Sequence, residues 1–191
     1  MKICFATNNG KKLEEIRNKL GKAYDIISLS DLGHTGELPE THDTIEENSL
    51  EKAMFIHARY GIDCFADDSG LVVHALNGEP GVHSAYYAGP QRSSQDNMSY
   101  LLKKLEGISN RTARFITVIS LVLDGKIIQF TGTIDGTIVP NPRGQNGFGY
   151  DPIFVPAGLR KTFAELDLDE KNAISHRALA VQKLVDFLKV K

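Results

Sequence analysis

Short apolar runs alternate with helical periodicities along this chain of 191 residues. Lys2-Ile3-Cys4-Phe5-Ala6 predicts a buried opening strand. After Thr7-Asn8-Asn9-Gly10-Lys11-Lys12, the spacing of Leu13, Ile16 and Leu20 predicts a helix. Residues 24–29 read as a second short strand, and the polar stretch 30–43, with Gly33, Gly36 and Pro39, as a loop. Thr44-Ile45-Glu46-Glu47 has the form of a capping box. It opens a helix whose expected apolar stripe is Leu50, Ala53, Met54 and the stem side of His57. Cys64-Phe65 and Leu71-Val72-Val73 read as two strands flanking an acidic turn. Asn77-Gly78-Glu79-Pro80-Gly81 is a turn signal, and Ser93-Ser94-Gln95-Asp96 opens a helix through Leu101, Leu102 and Leu105. Two long β-rich runs, 114–123 and 126–139, meet at Asp124-Gly125, a hairpin signal. A glycine-rich stretch, 143–149, precedes a closing helix with Ile174, Ala178, Val181, Val185 and Leu188 on its apolar face. Alternating strands and helices, interrupted by one hairpin, predict an α/β fold with a mixed sheet.

Composition narrows the picture. Hydrophobic content of 41% and charged content of 24% are those of an ordinary globular protein, long enough for a sizeable core. Without repeat or linker, residues 1–191 read as one domain. The balance of 22 basic against 24 acidic residues argues against a nucleic-acid-coating or membrane-surface protein. The opening apolar run is too short for a signal peptide or a membrane span, so a cytoplasmic location is expected. Cys4 and Cys64 read as small buried hydrophobes rather than a disulfide framework.

Candidate chemistry centres on Ala66-Asp67-Asp68-Ser69-Gly70-Leu71. Adjacent carboxylates between apolar runs repel, and a cation such as Mg²⁺ explains them; a solvated turn is the plainer alternative. Successive residues of an extended strand face opposite ways, so Asp67 and Asp68 are expected to do different jobs. Ser69 reads as a hydrogen-bonder to phosphate or metal-bound water. Glu40 is a candidate second metal ligand, with Glu46 and Glu47 as competitors, although capping already explains Glu47. Thr7 to Lys12 forms a strand-to-helix junction that could cradle phosphates, with Lys11 and Lys12 adding whole charges. The alternative is a capped helix with solvated lysines. It lacks P-loop spacing. In Gly144-Gln145-Asn146-Gly147-Phe148-Gly149-Tyr150-Asp151-Pro152 the glycines allow close approach to a ligand, and Phe148 and Tyr150 could stack on a planar ring. Lys171 and Ser175-His176-Arg177 either bind an oxo or phosphate group or simply open the last helix. The six histidines show no zinc spacing.

Five of these segments occur in one order: Thr7-Asn8-Asn9-Gly10-Lys11-Lys12; Ala66-Asp67-Asp68-Ser69-Gly70-Leu71; Pro80-Gly81 with Ser84-Ala85; Phe148-Gly149-Tyr150-Asp151-Pro152; and Glu170-Lys171-Asn172-Ala173-Ile174-Ser175-His176-Arg177. Together they resemble the inosine triphosphate pyrophosphatases of the Ham1/RdgB type over nearly the whole chain. The resemblance implies a long, twisted mixed sheet flanked by helices, with two lobes and an active-site cleft between them. It implies Mg²⁺-dependent hydrolysis of non-canonical purine nucleoside triphosphates (ITP, dITP, XTP) to the monophosphate and pyrophosphate by a homodimer. It further implies Asp68 as proton acceptor and metal-site carboxylate and Glu40 as metal ligand. Substrate contacts implied in the same way are Thr7, Asn8, Asn9, Gly10, Lys11, Lys12, Ser69, Phe148, Gly149, Tyr150, Asp151, Lys171, His176 and Arg177. One departure stands out: Tyr86, in His83-Ser84-Ala85-Tyr86-Tyr87, occupies a position where many bacterial members carry arginine. A non-catalytic purine-nucleotide sensor and a Maf-like pyrophosphatase for modified pyrimidine nucleotides are the other readings. The candidate base Asp68 argues against the first, and Ser175-His176-Arg177 against the second.

Overall fold

Cys64, Phe65 and Ala66 of one central strand alternate between two cores. A computed structural model describes residues 1–20 and 24–190; the side chains of Lys11, Glu15 and Asn18 lie outside the described set. Strands β1 (Lys2–Phe5), β2 (Asp25–Ile27), β3 (Cys64–Val73), β4 (Pro80–Gly81), β5 (Thr112–Leu123), β6 (Lys126–Ile138) and β7 (Phe154–Pro156) form one mixed sheet in the order β2-β1-β3-β5-β6-β7, with β4 on β3. β1 runs parallel to β2 and to β3, while β3–β4 and β6–β7 are antiparallel. The helices are α1 (Gly10–Leu20), α2 (Ile45–Tyr60), α3 (Ser94–Lys104), α4 (Leu168–Ile174) and α5 (His176–Lys189). The α/β class with a mixed sheet is as the sequence predicts.

The chain divides into two compact units. One comprises residues 1–68, 118–131 and 180–191, the other residues 69–117 and 132–179, so β3, β5, β6 and α5 contribute to both. In the first unit, alternate strand residues serve two separate cores. Ile3, Phe5, Phe65, Ile119 and Leu121 pack with Ile16 and Leu20 of α1 and with Ala180, Leu184 and Leu188 of α5. The intervening Cys4, Ala6, Cys64, Ala66 and Val122 pack with Ala53 and Ile56 of α2. The sheet therefore carries α1 on one face and α2 on the other. Cys4 and Cys64 are paired neighbours in the β1–β3 register and fully buried, and burial pushes both thiols up to about 12. In the second unit Leu71, Met98, Leu101, Phe115, Tyr150, Phe154 and Phe163 share one core.

Several local expectations change. The acids do not sit in a turn between two strands: β3 is continuous for ten residues through Asp67, Asp68 and Ser69. Of the apolar stripe expected on α2, Ala53 is buried, while Leu50 and His57 are only half-buried. The helix's buried positions are Ile45, Asn48, Ser49, Lys52, Ala53 and Ile56, and Met54 is exposed. The box at Thr44 is half formed: its hydroxyl accepts from Glu47 N–H at 3.2 Å and donates to the Glu47 carboxylate at 2.8 Å. The closing helix is two helices, because Ser175 is extended (ψ 150°), which leaves Ile174 on α4. The hairpin forms as predicted, with Asp124 and Gly125 at φ 49° and 72°, the left-handed pair a two-residue hairpin requires.

Phe65 stacks on Phe5 with ring centroids 4.5 Å apart. Phe65→Ala is expected to cost about 3–5 kcal/mol, read as a lower urea midpoint. A loss below about 1 kcal/mol would remove this stack from the core's main contacts.

Candidate active site

The alternation of β3 sends its two acids to different helices. Asp67, in phase with Phe65, points toward α1 and accepts from Lys12 Nζ at 2.6 Å, in a pair that is nearly buried. Asp68, in phase with Ala66, points toward α2, where Lys52 Nζ donates to it at 3.1 Å and to Glu40 at 2.7 Å. Lys52 is buried along its length while its ammonium group holds two carboxylates. Burial alone would lower the Lys52 pKa, but Asp68 and Glu40 outweigh it and hold the pKa above the ordinary lysine value. Burial drives Asp68 above the usual aspartate range, opposed by Lys52 and reinforced by Glu40 and Asp67. A carboxylate so placed is a better proton acceptor than an exposed aspartate.

At the head of α1, Asn9 caps the helix, its side-chain oxygen accepting from Lys12 N–H at 3.3 Å. The Asn9 N–H in turn donates to Thr7 Oγ1 at 3.1 Å. The junction is thus an ordered turn in which Lys12 N–H is already used. No acidic residue stands in the first turn of α1, which leaves its positive end to Lys12 and Asp67. Lys11 sits in the helix, but its side chain lies outside the described set. The Ser69 hydroxyl lies 2.7 Å from Thr117 Oγ1.

The second unit gathers another cluster. Asp151, buried, accepts from Phe148 N–H at 2.8 Å and from Lys171 Nζ. Lys171 Nζ lies 4.8 Å from the Phe148 ring centroid, and the Arg177 guanidinium 5.9 Å from it. Phe148 is 68% exposed, so much of its ring surface is available to a planar ligand. Tyr150 is not a second stacking ring. It is buried, donates its hydroxyl to Ser84 O at 2.9 Å, and its pKa is raised by burial. Gly147 has φ 76°, and a Cβ there would run into the Asp151 carboxylate, so this glycine is required for the turn that presents Phe148. Gly149 turns back at φ 62°. His176, the first residue of α5, lies flat on Phe115 with centroids 4.7 Å apart and an 8° tilt. Ser175 accepts from Ala178 N–H at 3.2 Å, capping α5. Tyr86 lies 3.1 Å from His83 Nδ1 and beneath the Arg92 guanidinium.

A family model described as the Ham1 family matches residues 3–187. The chain belongs to the Ham1 family. It is 54% identical to a protein of Flavobacterium johnsoniae named dITP/XTP pyrophosphatase, covering 98% of each chain. Its fold matches the Ham1 protein of Staphylococcus aureus with a TM-score of 0.95 at 40% identity, over 99% of this chain and 98% of the other. A Ham1 protein from Coxiella burnetii matches over the whole of both chains, with a TM-score of 0.96 at 37% identity.

In this Ham1 protein two contributors escaped the reading of motifs. Lys52 is one; the signal was its place seven residues after Ile45 and three after Ser49, on the buried face of α2. Phe115 is the other, and a strand phenylalanine gives no local hint that a histidine will stack on it. Among the described residues no group of three or more His, Cys, Asp or Glu side chains is arranged to hold a metal. Glu40 and Asp68 nevertheless converge on one cationic point, Lys52 Nζ. Two such carboxylates suit Mg²⁺, which takes its remaining ligands from water and phosphate.

In the metal-free protein Asp68 is expected to titrate above the ordinary aspartate value of 3.8, followed by carboxyl ¹³C NMR. Lys52→Met should raise the midpoint further, since it removes the groups that lower it. A midpoint at or below 3.8 in the native protein would contradict the balance described.

Proposed function

We propose that this Ham1-family protein hydrolyses ITP, dITP and XTP to the monophosphate and pyrophosphate, clearing non-canonical purines from the nucleotide pool. The relatives' name, dITP/XTP pyrophosphatase, supports the substrate class. The observation that carries the mechanism is Asp68, its basicity raised by burial, beside Lys52 and Glu40.

Water attacks the α-phosphorus while Asp68 takes its proton. A new P–O bond forms, the bond from the α-phosphorus to the α,β-bridging oxygen breaks, and pyrophosphate leaves with that electron pair. Lys12 and Lys52 stabilise the charge that develops on the phosphates. Mg²⁺, held by Glu40 and Asp68, would supply further neutralisation of the phosphate oxygens. Thr7, Asn8, Asn9 and Gly10 serve the phosphate end with Lys12, Lys11 is assigned to it by the resemblance alone, and Ser69 offers a hydroxyl.

The second unit's cluster fits the base. Phe148 stacks on the purine, backed by Gly149, Tyr150 and Asp151. Lys171, His176 and Arg177 supply donors, which suit the 6-oxo group of hypoxanthine and xanthine. A 6-amino group would face donors with a donor of its own, and such a mismatch in a buried site costs orders of magnitude in specificity. The match from residue 3 to 187 supports reading 1–191 as one domain. We further propose a cytoplasmic homodimer with no nucleic-acid or membrane partner; no helix among the described residues is long and apolar enough to cross a membrane.

The test is product analysis by ion exchange after incubation with ITP, XTP, GTP, ATP or dTTP, with and without Mg²⁺. IMP or XMP plus pyrophosphate, Mg²⁺-dependent and with little from ATP or GTP, is expected. Diphosphate plus orthophosphate would move the attack to the γ-phosphorus and overturn the mechanism. Asp68→Asn should lower turnover by about 10²- to 10⁴-fold while ITP still binds. Binding of ITP to the native protein without turnover would make it a sensor.

A further inference from the structure

Glu40 stands in a loop, yet its carboxylate meets Lys52 at a defined distance. The residues that follow it explain why. Thr41 N–H donates to Glu51 Oε2 at 2.8 Å, and the Thr41 hydroxyl donates to Glu51 Oε1 at 2.7 Å. His42 N–H donates to Asn48 Oδ1 at 2.9 Å, and Asn48 Nδ2 returns a bond to His42 O at 3.1 Å. Asn48 thus pairs with the His42 backbone as a neighbouring strand would, using both ends of its amide. It is 3% exposed, so its amide has no solvent to fall back on. Glu51 engages Thr41 with both oxygens, and those bonds, against the effect of burial, bring its pKa below the ordinary glutamate value.

All the anchoring groups lie on α2, which also carries Lys52. Asn48 is one helical turn before Lys52, and Glu51 is its neighbour. The same two turns of helix therefore fix both the ammonium and the carboxylate it meets, whatever the rest of the loop does. We propose that Asn48 and Glu51 are positioning residues that hold Glu40 in place for cation binding beside Lys52. The inference deepens the proposed function and rests on its assignment of Glu40 to the metal site. Partners that orient a ligating carboxylate commonly set metal affinity without touching the metal.

The test uses Mn²⁺ as the probe, with binding to the full chain followed by electron paramagnetic resonance and amide hydrogen exchange followed by NMR. Asn48→Ala and Glu51→Ala are expected to weaken Mn²⁺ binding by roughly 10- to 100-fold and to speed exchange at His42 and Thr41 respectively. Glu51→Gln, which keeps an acceptor for Thr41 N–H, should stay near the native affinity. Native affinity in both alanine variants would overturn the proposal, as would fast exchange at Thr41 and His42 in the native protein. Should Asn48→Ala fail to fold, Glu51→Ala on the more open side of the helix carries the test alone. Turnover of ITP by the native protein is measured separately. Its absence would count against the proposed function, while weaker Mn²⁺ binding in the variants would still establish the positioning role.

Discussion

Two carboxylates on consecutive residues of a strand cannot share a face, and that geometric constraint orders everything around the acid pair. Because β3 stays extended through Asp67 and Asp68, one acid points to α1 and the other to α2. Each meets a lysine from a different helix, so each carboxylate has a cation of its own. The pairing Cys4↔Cys64 and Phe5↔Phe65 locks this arrangement to the sheet. A slip of one residue would send every side chain of the strand to the wrong face, exchanging Phe65 for Ala66 in one core and Asp67 for Asp68 at its lysine.

The polar side chains of α2 belong to the same arrangement. The Ser49 hydroxyl donates to Ala66 O at 3.2 Å, at the residue just before the acids. It also lies 2.9 Å from Ser120 Oγ, which accepts from Gln129 Nε2 at 3.0 Å. The amide of Gln129 reaches back to Glu46 O at 3.1 Å, closing a path from helix to sheet and back. A buried ion pair such as Lys52–Asp68 is weak evidence for stability, since apolar replacements of similar volume often do as well. Its upkeep fits the proposed function: a helix tied to the strand by hydrogen bonds keeps charge where a triphosphate would use it.

Much of this was legible in the residues, and the misses have physical causes. The mixed α/β class, the Asp124-Gly125 hairpin and the opposite facing of Asp67 and Asp68 follow from periodicity and turn chemistry. The continuity of β3 does not, because Asp-Asp-Ser-Gly disfavours strand locally, and its acids meet partners remote in sequence, Lys12 and Lys52. Lys52 was hidden because a lysine in a helix pattern reads as solvent-facing; what places it inside is a carboxylate sixteen residues away. The helix break at Ser175 left no gap in the apolar spacing, so one helix was expected where two exist. Tyr150 reads as a stacking ring in its motif, but its hydroxyl donates to Ser84 O, a contact set by tertiary folding alone.

Cys4 and Cys64 have a consequence of a different kind. Both thiols are fully buried at adjacent positions of the central strands, and with pKa values pushed up to about 12 they hold almost no thiolate near neutrality. Oxidants and electrophiles therefore find nothing to attack while β1 and β3 remain together. The strand that presents the acids and its neighbour β1 thus carry a pair of silent chemical clocks, whose labelling rate reports how often the middle of the sheet comes apart.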